Sequence, residues 1–343
     1  MRKSYLLVAA ALLVAASCQK NDNAPSVEGI KYNPIDVALS AAIEGVDTKV
    51  SYTEDANVLK AAWKAHDKIS LVALDASGKA LSNDVFETTT AGASAKFSGT
   101  YSNPDGAVMV SVFYPALTEG KGTEAEPWHS KKREGTGLSD ASNTPLLYSV
   151  VKGKTNISVY PTYQLQRGNG DMSNVDEAVV MRGKITDFPA LVANDVNVTL
   201  KSICYVVKVT AKVPSDYDHL TKIELNTTNG TSTSMGLNGW TCLNDEFGIR
   251  YGNRSFDYAV GLGKTFRSPG SSSGTGVTPD GSGNIVAYII GYTGAPCVLP
   301  SGTVLAIEAG YGTVPDKFNA TKTLTKDISL EPGKMYRVNV TLN

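Results

Sequence analysis

Histidine and cysteine are scarce in this chain, three and four among 343 residues. The histidines are His66, His129 and His219, and no two of them have the spacing of metal ligands on one element. After Cys18 the cysteines are Cys204, Cys242 and Cys297. They lie too far apart for a zinc cluster, and their odd number excludes a complete disulfide framework. One disulfide with one free thiol fits, and so do three small buried apolar side chains. An excess of either charge is also missing. With 32 basic residues against 33 acidic ones, the chain carries no electrostatic footprint for nucleic acid. Helical periodicity is rare, and beyond the N-terminal leader no apolar run approaches the ~20 residues of a membrane-spanning helix. Catalytic motifs fail in context. Gly270-Ser271-Ser272-Ser273-Gly274 has the letters of a nucleophile elbow but lies in a Gly/Ser-rich stretch without the required strand and helix. Gly261-Leu262-Gly263-Lys264-Thr265 ends like a phosphate loop, but Tyr258 stands where the first glycine belongs. The chain is expected not to be an enzyme and to use no cofactor or metal.

What is present begins at the N-terminus. Arg2 and Lys3 precede an apolar run from Leu6 to Ala16, and Ala15-Ala16-Ser17-Cys18 closes it. A positive start, an apolar middle and a small-residue end make a secretory signal peptide. The cysteine at its border predicts cleavage after residue 17 and lipid attachment to Cys18. Residues 18–33, opening with Gln19-Lys20-Asn21-Asp22-Asn23, form a polar tether. Stable anchoring by lipid alone takes more than one acyl chain.

The remaining chain reads as strands. Ile35, Val37, Leu39, Ala41 and Ile43 alternate with less apolar residues, as on a half-buried strand. Ile69–Leu74, Val108–Phe113, Val196–Leu200, Val207–Val213, Ile285–Ile290, Val304–Ile307 and Tyr336–Leu342 follow as further strands. Phe86 and Phe97 flank a Thr- and Gly-rich stretch read as a connection. Glu119–Pro145 reads as a long polar loop, and Ser268–Asn284 as a flexible Gly/Ser-rich one. Many short strands with turn signals between them, and no room for crossover helices, predict an all-β protein. Two antiparallel β-sandwich domains in tandem are expected, 34–192 and 193–343, with Pro189 and Asp195 at the junction.

The order of several short motifs resembles the Bacteroidales fimbrillin families, the type V pilus subunits and related Mfa-like lipoproteins. The carriers are the lipobox at Cys18, Thr48-Lys49-Val50-Ser51-Tyr52, and Trp63 ahead of Asp67-Lys68-Ile69-Ser70-Leu71. Phe97-Ser98-Gly99-Thr100, Tyr114-Pro115, Pro161-Thr162-Tyr163-Gln164 and Leu330-Glu331-Pro332-Gly333-Lys334-Met335-Tyr336 continue the order through nearly the whole chain. The resemblance implies two transthyretin-like sandwiches in a lipid-anchored protein of the outer membrane, displayed at the cell surface or in a fimbrium. It also implies that a protease removes the first strand, leaving an apolar groove that a strand of another subunit refills. Ile35, Val37, Leu39, Ala41 and Ile43 would then be the plug withdrawn. Lys49 would mark the cut, where relatives usually carry arginine. With four large side chains, the plug is expected to hold about 6–12 kcal/mol of burial. Partners would be other pilus subunits, the outer membrane through the lipid, and a host or bacterial surface receptor.

A different class of function also fits the composition: a monomeric, lipid-anchored protein capturing glycans for nutrition. Trp63, Trp128 and Trp240 are the candidates for sugar stacking, and Trp128, in the polar loop, is the best placed.

Overall fold

The computed structural model describes residues 29–44, 53–55, 58–60, 62–130, 148–155, 157–159, 164–172, 175, 180–227, 259–262, 274–292, 297–311 and 316–343. Cys18, Lys49, Trp240 and Cys242 lie outside them. The strands run in order β1 (Ile35–Ile43), β2 (Thr53–Asp55), β3 (Val58–Lys60), β4 (Lys68–Asp75), β5 (Ala80–Thr88), β6 (Ser94–Tyr101), β7 (Ala107–Tyr114) and β8 (Trp128–His129). Next come β9 (Tyr148–Val150), β10 (Ile157–Val159), β11 (Gln164–Gln166), β12 (Met181–Ile185), the single-turn helix α1 (Phe188–Val192), β13 (Val196–Ser202), β14 (Cys204–Lys212) and β15 (Lys222–Thr227). The last are β16 (Ala259–Leu262), β17 (Asn284–Tyr292), β18 (Cys297–Leu299), β19 (Val304–Tyr311), β20 (Asp316–Thr323), β21 (Ile328–Leu330) and β22 (Met335–Thr341). The protein is nearly all-β, as its alternating pattern requires.

Seven strands close a barrel in the order β1-β13-β12-β7-β4-β5-β6. The sequence suggested an open two-layer sandwich here; the ladder instead returns to β1 and leaves no edge. An odd number of strands cannot close with every neighbour antiparallel. The single parallel contact falls between β1 and β13, Leu39 opposite Val196 through Ile43 opposite Leu200. The stretch read as a connection around Phe86 and Phe97 is the β5–β6 hairpin, and both phenyl rings are fully buried. Threonines and glycine suit a strand there because the outward positions are solvated while Gly99 leaves room for the Phe86 ring.

The barrel crosses the junction expected after residue 192. β13 belongs to it, and apart from β11 the second sheet system begins at β14. There β17-β14-β22 faces β11-β16-β15-β19-β20. Val207, Val209, Ile285, Ile289, Ile223, Leu225, Leu305 and Ile307 fill the layer between them. β11 joins this sheet although it precedes β12 in sequence.

Two turns show local chemistry. The Asp75 Oδ1 accepts from the N–H groups of Ser77 (2.8 Å) and Lys79 (2.9 Å) to close β4–β5. Asp280 Oδ1 does the same with Ser282 (2.8 Å) and Asn284 (2.9 Å). Those backbone bonds hold the Asp280 carboxyl below its usual range. Residues 280–284 are therefore a bonded turn, in a stretch read from sequence as a flexible loop.

Candidate functional site: the first strand and its groove

β1 lies between β6 and β13. Against β6 it is antiparallel, Ile35 opposite Tyr101 through Ala42 opposite Ser94. Its even-numbered side chains face outward, and Val37, Leu39, Ala41 and Ile43 point into the barrel at 3%, 1%, 0% and 7% exposure. Ile35, counted from sequence as a fifth plug residue, is only half-buried. Three large side chains of β1 are thus fully enclosed, about 5–9 kcal/mol of burial at 1.5–3 kcal/mol each.

The facing positions on β6 explain the sizes. Val37 sits opposite Gly99, Leu39 opposite Phe97, and Ala41 opposite Ala95. Beside the third of these stands an indole, bonded to the Ala41 main chain. Trp63 is 1% exposed, and its Nε1–H donates to the Ala41 carbonyl at 2.8 Å. Its ring meets Phe97 edge-on at 4.9 Å and Tyr114 edge-on at 5.3 Å. Backbone bonds to Gly92 in both directions hold Trp63 itself. Asp67 then organises the turn that follows. Its Oδ2 accepts from the Lys64 N–H at 2.7 Å, and its Oδ1 accepts from the Tyr114 hydroxyl at 3.4 Å. Trp63, Asp67, Phe97 and Tyr114, which are scattered in sequence, therefore gather at one end of β1.

The ends of β1 are tied as well. The Ala38 N–H donates to the Asn194 side-chain oxygen, which stands in for a ladder partner where β13 has not yet begun. Asn194 adopts a left-handed φ of 60° to make this reach, a conformation asparagine tolerates better than most residues. Thr100 Oγ1 donates to Asp36 at 2.8 Å. Past the last strand residue, the Glu44 N–H donates to Leu200 O at 2.9 Å, and Lys201 Nζ lies 3.6 Å from its carboxylate.

Near the other end of the β5–β6 hairpin, half-buried Asp84 accepts from Ser102 Oγ (2.5 Å), Ser102 N (3.1 Å) and Ser82 Oγ (3.1 Å). Burial pushes its carboxyl above the ordinary range against those three bonds. Burial, and then the Asp84 charge, push the Tyr101 phenol upward.

Trp128 is half-buried on β8 and packs against the barrel core. One side of its ring is taken up by Gly122, where a Cβ would come within 2.5 Å of the indole. The three histidines stay apart. His66 Nδ1 meets Glu87 at 2.8 Å, His129 Nδ1 meets Ser130 O at 3.1 Å, and His219 Nδ1 meets Asp218 at 2.6 Å. The described residues hold no cluster of three His, Cys, Asp or Glu that could take a metal ion. Cys204 is buried, and its sulfur accepts from Val180 N at 3.3 Å.

Two features have no sequence signal. Arg182 is fully buried although it shares the outward face of β12 with exposed Lys184, donating from Nη2 to Ser111 Oγ at 2.6 Å and lying 4.7 Å over the Phe113 ring. Gln166 and Asn169 cover β17 with their amides. Gln166 donates to Val286 O (2.7 Å) and accepts from Tyr288 N (2.9 Å); Asn169 accepts from Val286 N (2.8 Å) and donates to Asn284 O (2.9 Å). Side chains thus occupy backbone groups that an edge strand would otherwise expose.

No family model and no curated protein match the chain. Solved structures do. One, named as a cell adhesion protein of Bacteroides ovatus, is 13% identical, with 91% of this chain and 92% of that one covered and a TM-score of 0.38. A fimbrial assembly protein of Parabacteroides distasonis is 13% identical, covering 90% and 91%, with a TM-score of 0.34. A fimbrial protein of Bacteroides ovatus is 13% identical over 89% of this chain and 48% of its own, with a TM-score of 0.32. These neighbours are adhesion and fimbrial proteins of the same order of bacteria that the sequence motifs resemble. The overlap is too loose to carry any residue across, so the role of β1 rests on this chain's own contacts.

Proposed function

We propose that this chain is a surface-exposed fimbrillin-like lipoprotein, a pilus subunit or adhesin. In this reading it is held in the outer membrane through Cys18 and assembles by strand exchange once the connection holding Lys49 is cut. The observation that supports it is the place of β1. It is the strand whose insertion brings the one parallel contact into the barrel. It comes first among the described strands, and its apolar side chains line the interior. Its loss would separate β6 from β13 and open a groove with two unpaired backbone rows and pockets for three large side chains. Such a groove is refilled by another strand far more readily than by water, because ladder bonds and apolar burial return together. Residues 34–202 would form the domain that receives a strand, and the β14–β22 sandwich the second domain, with transthyretin-like ancestry for both. Partners would be a processing protease, further subunits and a surface receptor, and no step of this assembly needs an enzyme activity of the chain itself or a cofactor.

Limited trypsin digestion of delipidated protein tests the reading. The expected result is a cut at Lys49, release of the fragment holding β1, and oligomers by size-exclusion chromatography that the Lys49→Gln variant does not form. Recovery of surface protein that still carries residues 35–43, with no filaments labelled by antibody to this chain, would overturn it.

A further inference from the structure

The geometry points to Trp63 as the register gauge of the β1 groove, the positioning residue that decides which strand fits and at what height. This inference rests on the strand-exchange reading for its biological use, but the gauge itself is a property of the intact barrel. Alternation of apolar and polar residues forbids a slip by one, because every buried side chain would turn outward. It does not forbid a slip by two, which in one direction sets Ile35, Val37, Leu39 and Ala41 at the four inward sites and in the other leaves only the last of them to Gly45. Something else must exclude that slip, and the order of sizes along β1 does so. The inward residues are large, large, small and large: Val37, Leu39, Ala41 and Ile43. The small site lies opposite Ala95, with the Trp63 indole bonded to the carbonyl of the same residue. A slip by two in either direction brings Leu39 or Ile43 to that site. The indole cannot retreat, because Phe97 and Tyr114 pack edge-on against it and the Gly92 bridge holds its backbone. A donor strand is therefore accepted when the third of its four inward residues is small, and it is seated at the register that places this residue beside Trp63.

Disulfide trapping in the uncut chain tests the gauge. Ala42 faces Ser94 across the ladder and both point away from the interior, so the Ala42→Cys/Ser94→Cys pair reports the native register. The Ser40→Cys/Ser94→Cys pair reports a slip by two. The expected result with native β1 is that only the first pair links. Moving the small residue, by Leu39→Ala with Ala41→Leu, should reverse the preference and link the second pair. Trp63→Phe keeps an aromatic ring but removes part of the indole's bulk beside the small site. It should raise the slipped link about fivefold or more, the low end of what overpacking a filled site costs, and this arm does not depend on the double variant folding. Native linkage unchanged in both variants would overturn the gauge. The strand-exchange reading fails by a separate result: a trypsin-cut protein that takes up no fluorescent peptide of residues 33–45.

Discussion

Replacing Leu39 by alanine should destabilise the uncut protein by about 2–5 kcal/mol, the range for removing a buried leucine side chain where the surroundings close in only partly. The upper half of that range is expected. Leu39 is 1% exposed, faces the Phe97 ring across the ladder, and lies in a barrel closed on every side. Ile35→Ala at the start of the same strand should cost under about 1 kcal/mol, because Ile35 is only half-buried. Urea unfolding followed by tryptophan fluorescence measures both. A lower midpoint with an unchanged slope reports stability alone. The same substitutions in a peptide of residues 33–45, offered to the cut protein, should weaken capture about 30-fold or more for Leu39→Ala and less than about tenfold for Ile35→Ala. Equal effects of the two changes on folding would refute the placement of the plug. Equal effects on capture, with unequal effects on folding, would mean that the peptide binds outside the groove left by β1.

Asp84 provides a pH test. Its folded-state pKa is raised, mainly by burial, above the ordinary 3.8. The folded state therefore binds its proton more tightly than the unfolded chain does. Its contribution to stability is fully present below the unfolded value and is lost as pH rises through the folded one. The stability of the wild type relative to Asp84→Asn should fall as pH rises through that window and be flat above it, by urea midpoints at each pH; a difference constant across the window would refute this. In the second sandwich, Gly291→Ala should cost about 1–3 kcal/mol, because the new Cβ would lie 2.1 Å from Cζ of the fully buried Tyr205 ring. Gly281→Ala, with nothing within 4 Å of its Cβ, should change the thermal midpoint little.

Local pattern made much of the molecule legible. The alternation in β1, β13, β14 and β22 and the short apolar runs of β4, β7, β17 and β19 identified each as a strand, since burial on one face or on both leaves its mark residue by residue. The hairpin of β5 and β6 escaped because its outward threonines, serines and glycines read as linker while Phe86 and Phe97 lie too far apart to show a period. Trp63, Asp67, Phe97 and Tyr114 were each visible as motif letters. Their gathering around Ala41 was not, because a sequence does not show which distant turns share a corner of a barrel.

From its sequence alone this chain had to be nearly all-β: alternation selects strands, and glycine- and threonine-rich punctuation leaves no stretch for a long helix. The expectation of a leader over residues 1–17 with lipid on Cys18 likewise uses no tertiary context, since it is read linearly. Barrel closure, the return of β13 across the expected junction and the residues that face each size along β1 were decided only in three dimensions. Each depends on pairing between residues more than 50 positions apart, such as Leu39 with both Phe97 and Val196. Backbone ladders bond whichever strands the side-chain volumes let lie side by side, and those volumes are matched only once the core is packed.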